Sequence, residues 1–219
     1  MSENLVLIFD TETTGLFPKN NKNKQEYPFI VQLSFIVFDL NKKEIVFKYN
    51  EYIKQRSSDN INYDSEAFKI TKITKQMCDN GVSIIEALNA FYTYYMNVQY
   101  VVAHNLDFDR EMIQLEIIRN FESFKMEKFT DIWVLFNEAF NKMWGIKTCC
   151  TMHIGKFECK LSNKNGFGYK MPKLVELHNH LFGKTPSNLH DSLTDCYVCL
   201  KCFIKMKFNF DINEDEIEL

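Results

Sequence analysis

Asp10 and Glu12 stand two residues apart at the end of an apolar run, Leu5-Val6-Leu7-Ile8-Phe9. If that run is a strand, alternate residues share a face and the two carboxylates lie side by side. Adjacent like charges cost stability unless a proton or a cation lies between them, so the pair points to a divalent metal site. Two further patches carry related chemistry, Ala103-His104-Asn105-Leu106-Asp107-Phe108-Asp109 and His190-Asp191-Ser192-Leu193-Thr194-Asp195. Asp10, Glu12, Asp109 and Asp195 are all hard oxygen donors, a set that suits Mg²⁺ or Mn²⁺ and not zinc. Two such ions about 3.5–4 Å apart form a clamp for in-line attack at phosphorus, one making hydroxide from water and the other stabilising the leaving oxygen. A base must take the proton of that water, and His190, close in sequence to the fourth acid, is suited to do so near neutral pH.

For these residues to meet, elements far apart in sequence must converge. Residues 5–10 read as a buried strand, and 29–39 and 44–53 as two more joined by the turn-like Asn41-Lys42-Lys43, which gives an antiparallel hairpin after the first strand. The pattern is helical from Asp64 to Asn97, followed by a short buried strand at 100–104 and a helix over 107–120. A fifth strand is expected at 128–133 and a helix at 133–144, while 147–170 reads as irregular. Pro172 opens a helix that runs to Phe182 with Gly183 as its stop, and a last helix covers about 191–207. Strands alternating with helices in the second half imply crossover units and a partly parallel sheet. All three patches lie at the mouths of elements, and in an open α/β sheet such edges converge on one crevice.

The 219 residues, 46% hydrophobic, suffice for one large core, so a single domain over 1–207 with an acidic tail at 208–219 is expected. A net charge of −3 exerts no global pull on nucleic acid, leaving local lysines and bound cations to attract any polyanion. Seven cysteines leave one unpaired in any disulfide scheme, which favours reduced thiols. Met1-Ser2-Glu3-Asn4 lacks the basic start of a signal peptide and the longest apolar runs are far below membrane-spanning length, so a soluble intracellular protein, cytoplasmic or nuclear, is expected.

The motifs resemble those of the DEDDh exonucleases of the ribonuclease H-like superfamily, the group that includes the proofreading subunit of bacterial replicative polymerase. The resemblance spans about residues 5–205. It is carried by Phe9-Asp10-Thr11-Glu12-Thr13-Thr14-Gly15, by His104-Asn105-Leu106-Asp107-Phe108-Asp109, and by His190 followed at the family spacing by Asp195. It implies a mixed five-stranded sheet, an antiparallel hairpin plus parallel strands, flanked by helices. It also implies two Mg²⁺ or Mn²⁺ ions on Asp10, Glu12, Asp109 and Asp195, with His190 as general base. The implied activity is stepwise hydrolysis from a 3′ end that releases nucleoside 5′-monophosphates. Thr13, Leu16, Asn105 and Phe108 are implied contacts of the terminal nucleotide. The implied partners are nucleic-acid 3′ ends, single-stranded DNA before RNA, and a polymerase or other protein. The alternative is a non-catalytic nucleic-acid-binding or polymerase-tethering module of the same fold.

Several of these residues also have structural readings. Asp195 follows Ser192 at capping-box spacing, and Asp109 could serve the positive end of a helix. Cys196, Cys199 and Cys202 form a CxxCxxC run, read here as a core stripe of a helix in preference to a metal site. Between Lys156 and Lys173, lysines alternate with Phe157, Phe167 and Tyr169, which suits either a single-strand track or a hairpin whose rings pack inward.

Overall fold

The computed structural model describes residues 4–19, 27–186 and 191–212. Its centre is a five-stranded sheet in the order β3-β2-β1-β4-β5, built from β1 (Leu5–Thr13), β2 (Ile30–Asp39), β3 (Glu44–Tyr52), β4 (Tyr100–Ala103) and β5 (Lys147–Cys150). The β1–β2 and β2–β3 pairs are antiparallel, and β1–β4 and β4–β5 are parallel. This is the mixed sheet of the ribonuclease H-like fold, with helices on both faces.

Alternation along β1 decides what each face meets. Leu5, Leu7 and Phe9 pack with Leu33, Phe35 and Val37 of β2 against α3 (Ile84–Tyr95) and α4 (Leu106–Arg119). Val6 and Ile8 pack on the opposite face against Cys196, Cys199, Leu200 and Phe203 of α9 (Ser192–Phe208). Continuing the two-residue period places Asp10 and Glu12 on the α9 side and Thr11 on the α4 side. The three cysteines of α9 are buried core residues, as their helical spacing implied. The chain stays packed past α9, where Ile212 is buried in the same cluster.

The fifth strand exists, but not where the sequence pattern put it. Residues 128–133 are loop and the start of a 3-10 turn at Asp131–Val134, and the strand is Lys147–Cys150, inside the stretch read as irregular. A four-residue edge strand with the sequence Lys-Thr-Cys-Cys and exposed lysine and threonine offers no alternation to detect. The apolar residues near 128–133 instead serve packing, since Ile132 is buried in the main core. The helix expected at 133–144 is shortened to α6 (Glu138–Trp144), capped by the Asn137 side chain accepting from Phe140 N–H at 3.0 Å. The helical stretch 64–97 divides into α1 (Glu66–Thr71), α2 (Lys75–Asp79) and α3, with α5 (Phe121–Met126) following α4. The remainder of 147–170 folds as α7 (Thr151–Cys159) and a small hairpin, before α8 (Leu174–Phe182).

Among the described residues, no helix is long and apolar enough to cross a membrane.

Candidate active site

β4 is short. Its ladder with β1 ends at Ile8↔Val102, so the edge of β1 beyond that point has lost its strand neighbour. Backbone donors there need partners. Asp109, in the first turns of α4, fills the gap: its Oδ1 accepts from the Thr11 N–H at 3.0 Å and from Thr11 Oγ1 at 2.7 Å. From the other face, α9 is pinned to the same strand by Ser192 Oγ, which donates to the Asp10 carbonyl at 2.8 Å. That contact sets the first turn of α9 against β1, and Asp195 follows on it. One carboxylate oxygen each from Asp10, Glu12 and Asp195 then lie within 4.8 Å of one another.

The helix start excludes the capping reading of Asp195: the N-cap is Asp191, and Ser192 is already the first helical residue with its hydroxyl spent on β1. Asp109 sits in the first turns of α4, but its carboxylate is directed at Thr11.

The electrostatics are those of carboxylates that raise one another's pKa. Burial, then Asp109, Glu12 and Asp195, hold the Asp10 carboxyl well above the ordinary carboxylate range. Glu12 is pushed up to about 8 by burial, then by Asp195, Asp109 and Asp191. Asp109 is pushed up to about 7 by burial, against the pull of its Thr11 hydrogen bonds. Among the described residues no lysine or arginine lowers any of the three. A set of mutually repelling, half-buried carboxylate oxygens fits a hard divalent cation such as Mg²⁺ or Mn²⁺, and among the described residues no thiolate or imidazole of the kind zinc favours joins it.

The structure thus brings Asp10, Glu12 and Asp195 together and stations Asp109 beside them, outside the closest group. His190 lies outside the described residues. Among the implied nucleotide contacts, Thr13 is buried and its hydroxyl donates to the Gly15 carbonyl at 2.7 Å, which folds the chain back after β1. Leu16 projects from that turn and is 82% exposed. Phe17 behind it is anchored edge-on against Phe108 with ring centroids 5.5 Å apart, so Phe108 is half-buried as a support for the turn. Asn105 is exposed and left-handed at φ 74°, a conformation asparagine tolerates, between β4 and α4. Asp107 is exposed and paired with Arg110 at 3.0 Å.

Thr11 and Ser192 escape the sequence reading, since neither residue type announces chemistry. Thr11 lies between the two acids, and the strand period alone could have assigned it to the other face as a support. His104 is a further support: its ring nitrogens meet Thr151 Oγ1 at 3.0 Å and the Pro172 carbonyl at 3.1 Å. Burial holds its pKa down to about 4, so it ties β4 to α7 and α8 as a neutral ring.

In three-dimensional comparison the chain is similar to E. coli Exonuclease I in complex with a dA16 oligonucleotide, at TM-score 0.63 and 16% identity, covering 92% of this chain and 40% of that one. It is also similar to E. coli Exonuclease I in complex with a 5cy-dT13 oligonucleotide, at TM-score 0.66 and 15% identity, covering 94% and 41%. The likeness is one of fold, and the chain spans about two fifths of the length of these structures. No curated protein sequence matches. The RNase_T family profile, described as "Exonuclease", matches residues 7–203, from inside β1 to near the end of α9. With Asp10 and Glu12 of β1, Asp109 of α4 and Asp195 of α9 all inside that match, the chain belongs to the RNase T exonuclease family of the ribonuclease H-like superfamily.

Proposed function

We propose that the protein is a metal-dependent 3′-to-5′ exonuclease acting on single-stranded or frayed nucleic-acid ends and releasing nucleoside 5′-monophosphates. Membership of the family supports a nuclease, and the observation that carries the finer reading is the half-buried triad of carboxylate oxygens within 4.8 Å. Single-stranded DNA is the substrate proposed first, because the similar Exonuclease I structures hold DNA oligonucleotides. In this reading Asp10, Glu12, Asp109 and Asp195 hold two divalent ions, which when bound supply an activated water and stabilisation of the leaving 3′ oxygen.

The chain's own residues do the rest. Thr11 orients Asp109 through two hydrogen bonds, and Ser192 fixes the approach of Asp195 to β1. His190, two residues before α9 in sequence, takes the proton of the attacking water. The exposed Leu16, on a turn braced by Phe17 and Phe108, contacts the terminal base, with Thr13 and Asn105 flanking it.

The test is a 5′-labelled single strand with Mg²⁺ or Mn²⁺. A ladder that shortens from the 3′ side supports the proposal. A retarded but intact strand supports the tethering module, and cutting of a circular single strand supports an internal nuclease instead.

A further inference from the structure

We propose that the outward face of α7 and the hairpin at 161–170 form a track for the single-stranded stretch leading away from the strand end held at the acidic cluster. This rests on the nuclease reading above and assigns that site a substrate-binding surface.

The first observation is charge. In a chain of net −3, residues 151–173 carry five lysines against one glutamate. Lys170 is engaged by Glu176, whereas Lys160 and Lys164 are exposed. The second is the placement of rings. Phe157 is 68% exposed and Phe167 is 84% exposed, and Tyr169 lies beside them on the surface. The reading in which these rings pack inward therefore fails.

Packing explains why they face out. Gly155 brings α7 so close to α8 that a Cβ there would stand 2.9 Å from Leu177 Cδ1. With Gly155 and Cys159 inward, the helical period turns Phe157 to solvent. The hairpin is closed by Lys170 N–H donating to the Leu161 carbonyl at 2.8 Å and Asn163 Nδ2 donating to the Phe167 carbonyl at 2.7 Å, which presents Phe167 at its tip.

The third is location. α7 begins where β5 ends, and His153 Nε2 lies 4.0 Å from Asp107 Oδ2 in the first turn of α4, the helix that carries Asp109. The surface therefore starts at the mouth of the site. Protein-binding patches are depleted of lysine, whereas alternating cations and exposed rings match the phosphates and unstacked bases of a single strand.

The experiment compares wild type, Phe157→Ala/Phe167→Ala and Lys160→Ala/Lys164→Ala on two substrates. One is a 5′-labelled single strand of about 20 nucleotides, longer than the site sizes of such surfaces. The other is the 4-nitrophenyl ester of thymidine 5′-monophosphate, too short to leave the site. The ring pair should raise KM for the long strand by at least about fivefold per ring, with kcat and ester hydrolysis unchanged. The lysine pair should lower the slope of log KM against log salt by about 1.4. Wild type inactive on both substrates overturns the nuclease reading. Active wild type with unchanged KM and salt slope in both variants overturns the track alone, as does a loss shared by the ester, which would place the effect on the site and not on the strand.

Discussion

The two ends of α4 each bury an acid, and the fold treats them in opposite ways. Near the C-terminal end, Glu116 meets Arg119 at 2.9 Å and Asn120 Nδ2 at 3.3 Å. Arg119 goes on to the Tyr27 and Pro28 carbonyls at 2.8 and 2.6 Å and lies 4.0 Å over the Phe29 ring. Burial still raises the Glu116 pKa, but a guanidinium inside the chain answers the charge. At the other end Asp109 faces Thr11, with Asp10 and Glu12 beyond, and no cationic side chain among the described residues offsets them. Burial of an acid is therefore no mark of function by itself. What separates the two ends is that a described arginine answers Glu116, whereas no described lysine or arginine lowers the pKa of Asp10, Glu12 or Asp109.

Substitutions at the two ends should fail in different assays. Asp10→Ala or Asp195→Ala should lower exonuclease turnover by about 10³-fold or more, because such ligands act as a unit, while leaving the metal-free protein folded. Turnover within tenfold of wild type in either variant would remove the distinction. Arg119→Ala should do the reverse. Leaving Glu116 buried without its partner should cost about 3–5 kcal/mol in urea denaturation, with the turnover of the folded fraction preserved.

The same contrast explains what the sequence could reveal. Asp10, Glu12, Asp109 and Asp195 were legible because a strand period and two helix starts fix their placement, and because repelling acids at such places have little structural use. The mixed sheet flanked by helices followed from the order of strands and helices and from the family resemblance, whereas which residues of the all-apolar run Leu5 to Phe9 face which helices emerged only from the packing. Glu116 and Arg119 looked like an ordinary surface pair one helical turn apart, since nothing local shows that the chain from Tyr27 to Ile30 will cover them. The strand at 147–150 was illegible for a related reason: its pairing with β4 is a tertiary event, and four residues at a sheet edge carry too little pattern to compete with the apolar run near 128–133. Thr11 matters through its hydroxyl and its N–H together and Ser192 through a hydroxyl bound to a backbone carbonyl, tertiary roles that residue type alone does not advertise.

Without a divalent ion the acidic end should also give a stability that depends on pH. Glu12 has a folded-state pKa near 8 against about 4.3 in an unfolded chain, so the folded protein holds the extra proton and stability falls as pH rises through that window. His104 works in the opposite sense. Its folded pKa of about 4 lies below the ordinary 6.5, so the stability it contributes is present above 6.5 and is lost as pH falls toward 4. Above about pH 6.5 His104 no longer contributes to the slope. Thermal melts in chelator should therefore show Tm declining from pH 6.5 to 8.5, and millimolar Mg²⁺ or Mn²⁺ should restore it. A Tm that is flat in chelator and indifferent to the ions would mean that the cluster is neutralised by the chain, as Glu116 is. Glu12→Gln should flatten the chelator profile.

The smallest effect expected is at Thr11, where the two kinds of support meet. Its hydroxyl and N–H both serve Asp109, and these two bonds favour the charged form of this acid against the effect of burial. Thr11→Val keeps the shape and the backbone donor but loses the Oγ1 bond at 2.7 Å. A hydrogen bond to a charged group is worth about 1.5–3 kcal/mol when both partners are held, and the remaining N–H limits the loss to the lower end, near tenfold in rate. Thr11→Ser should recover most of it. If Asp109 is a ligand positioned by Thr11, the Thr11→Val defect should shrink as the Mg²⁺ or Mn²⁺ concentration rises, because the ion then supplies the orienting charge. A defect that persists at saturating metal, or a stability loss with no defect in rate, would place Thr11 and Asp109 with Arg119 and Glu116, as parts that hold the fold.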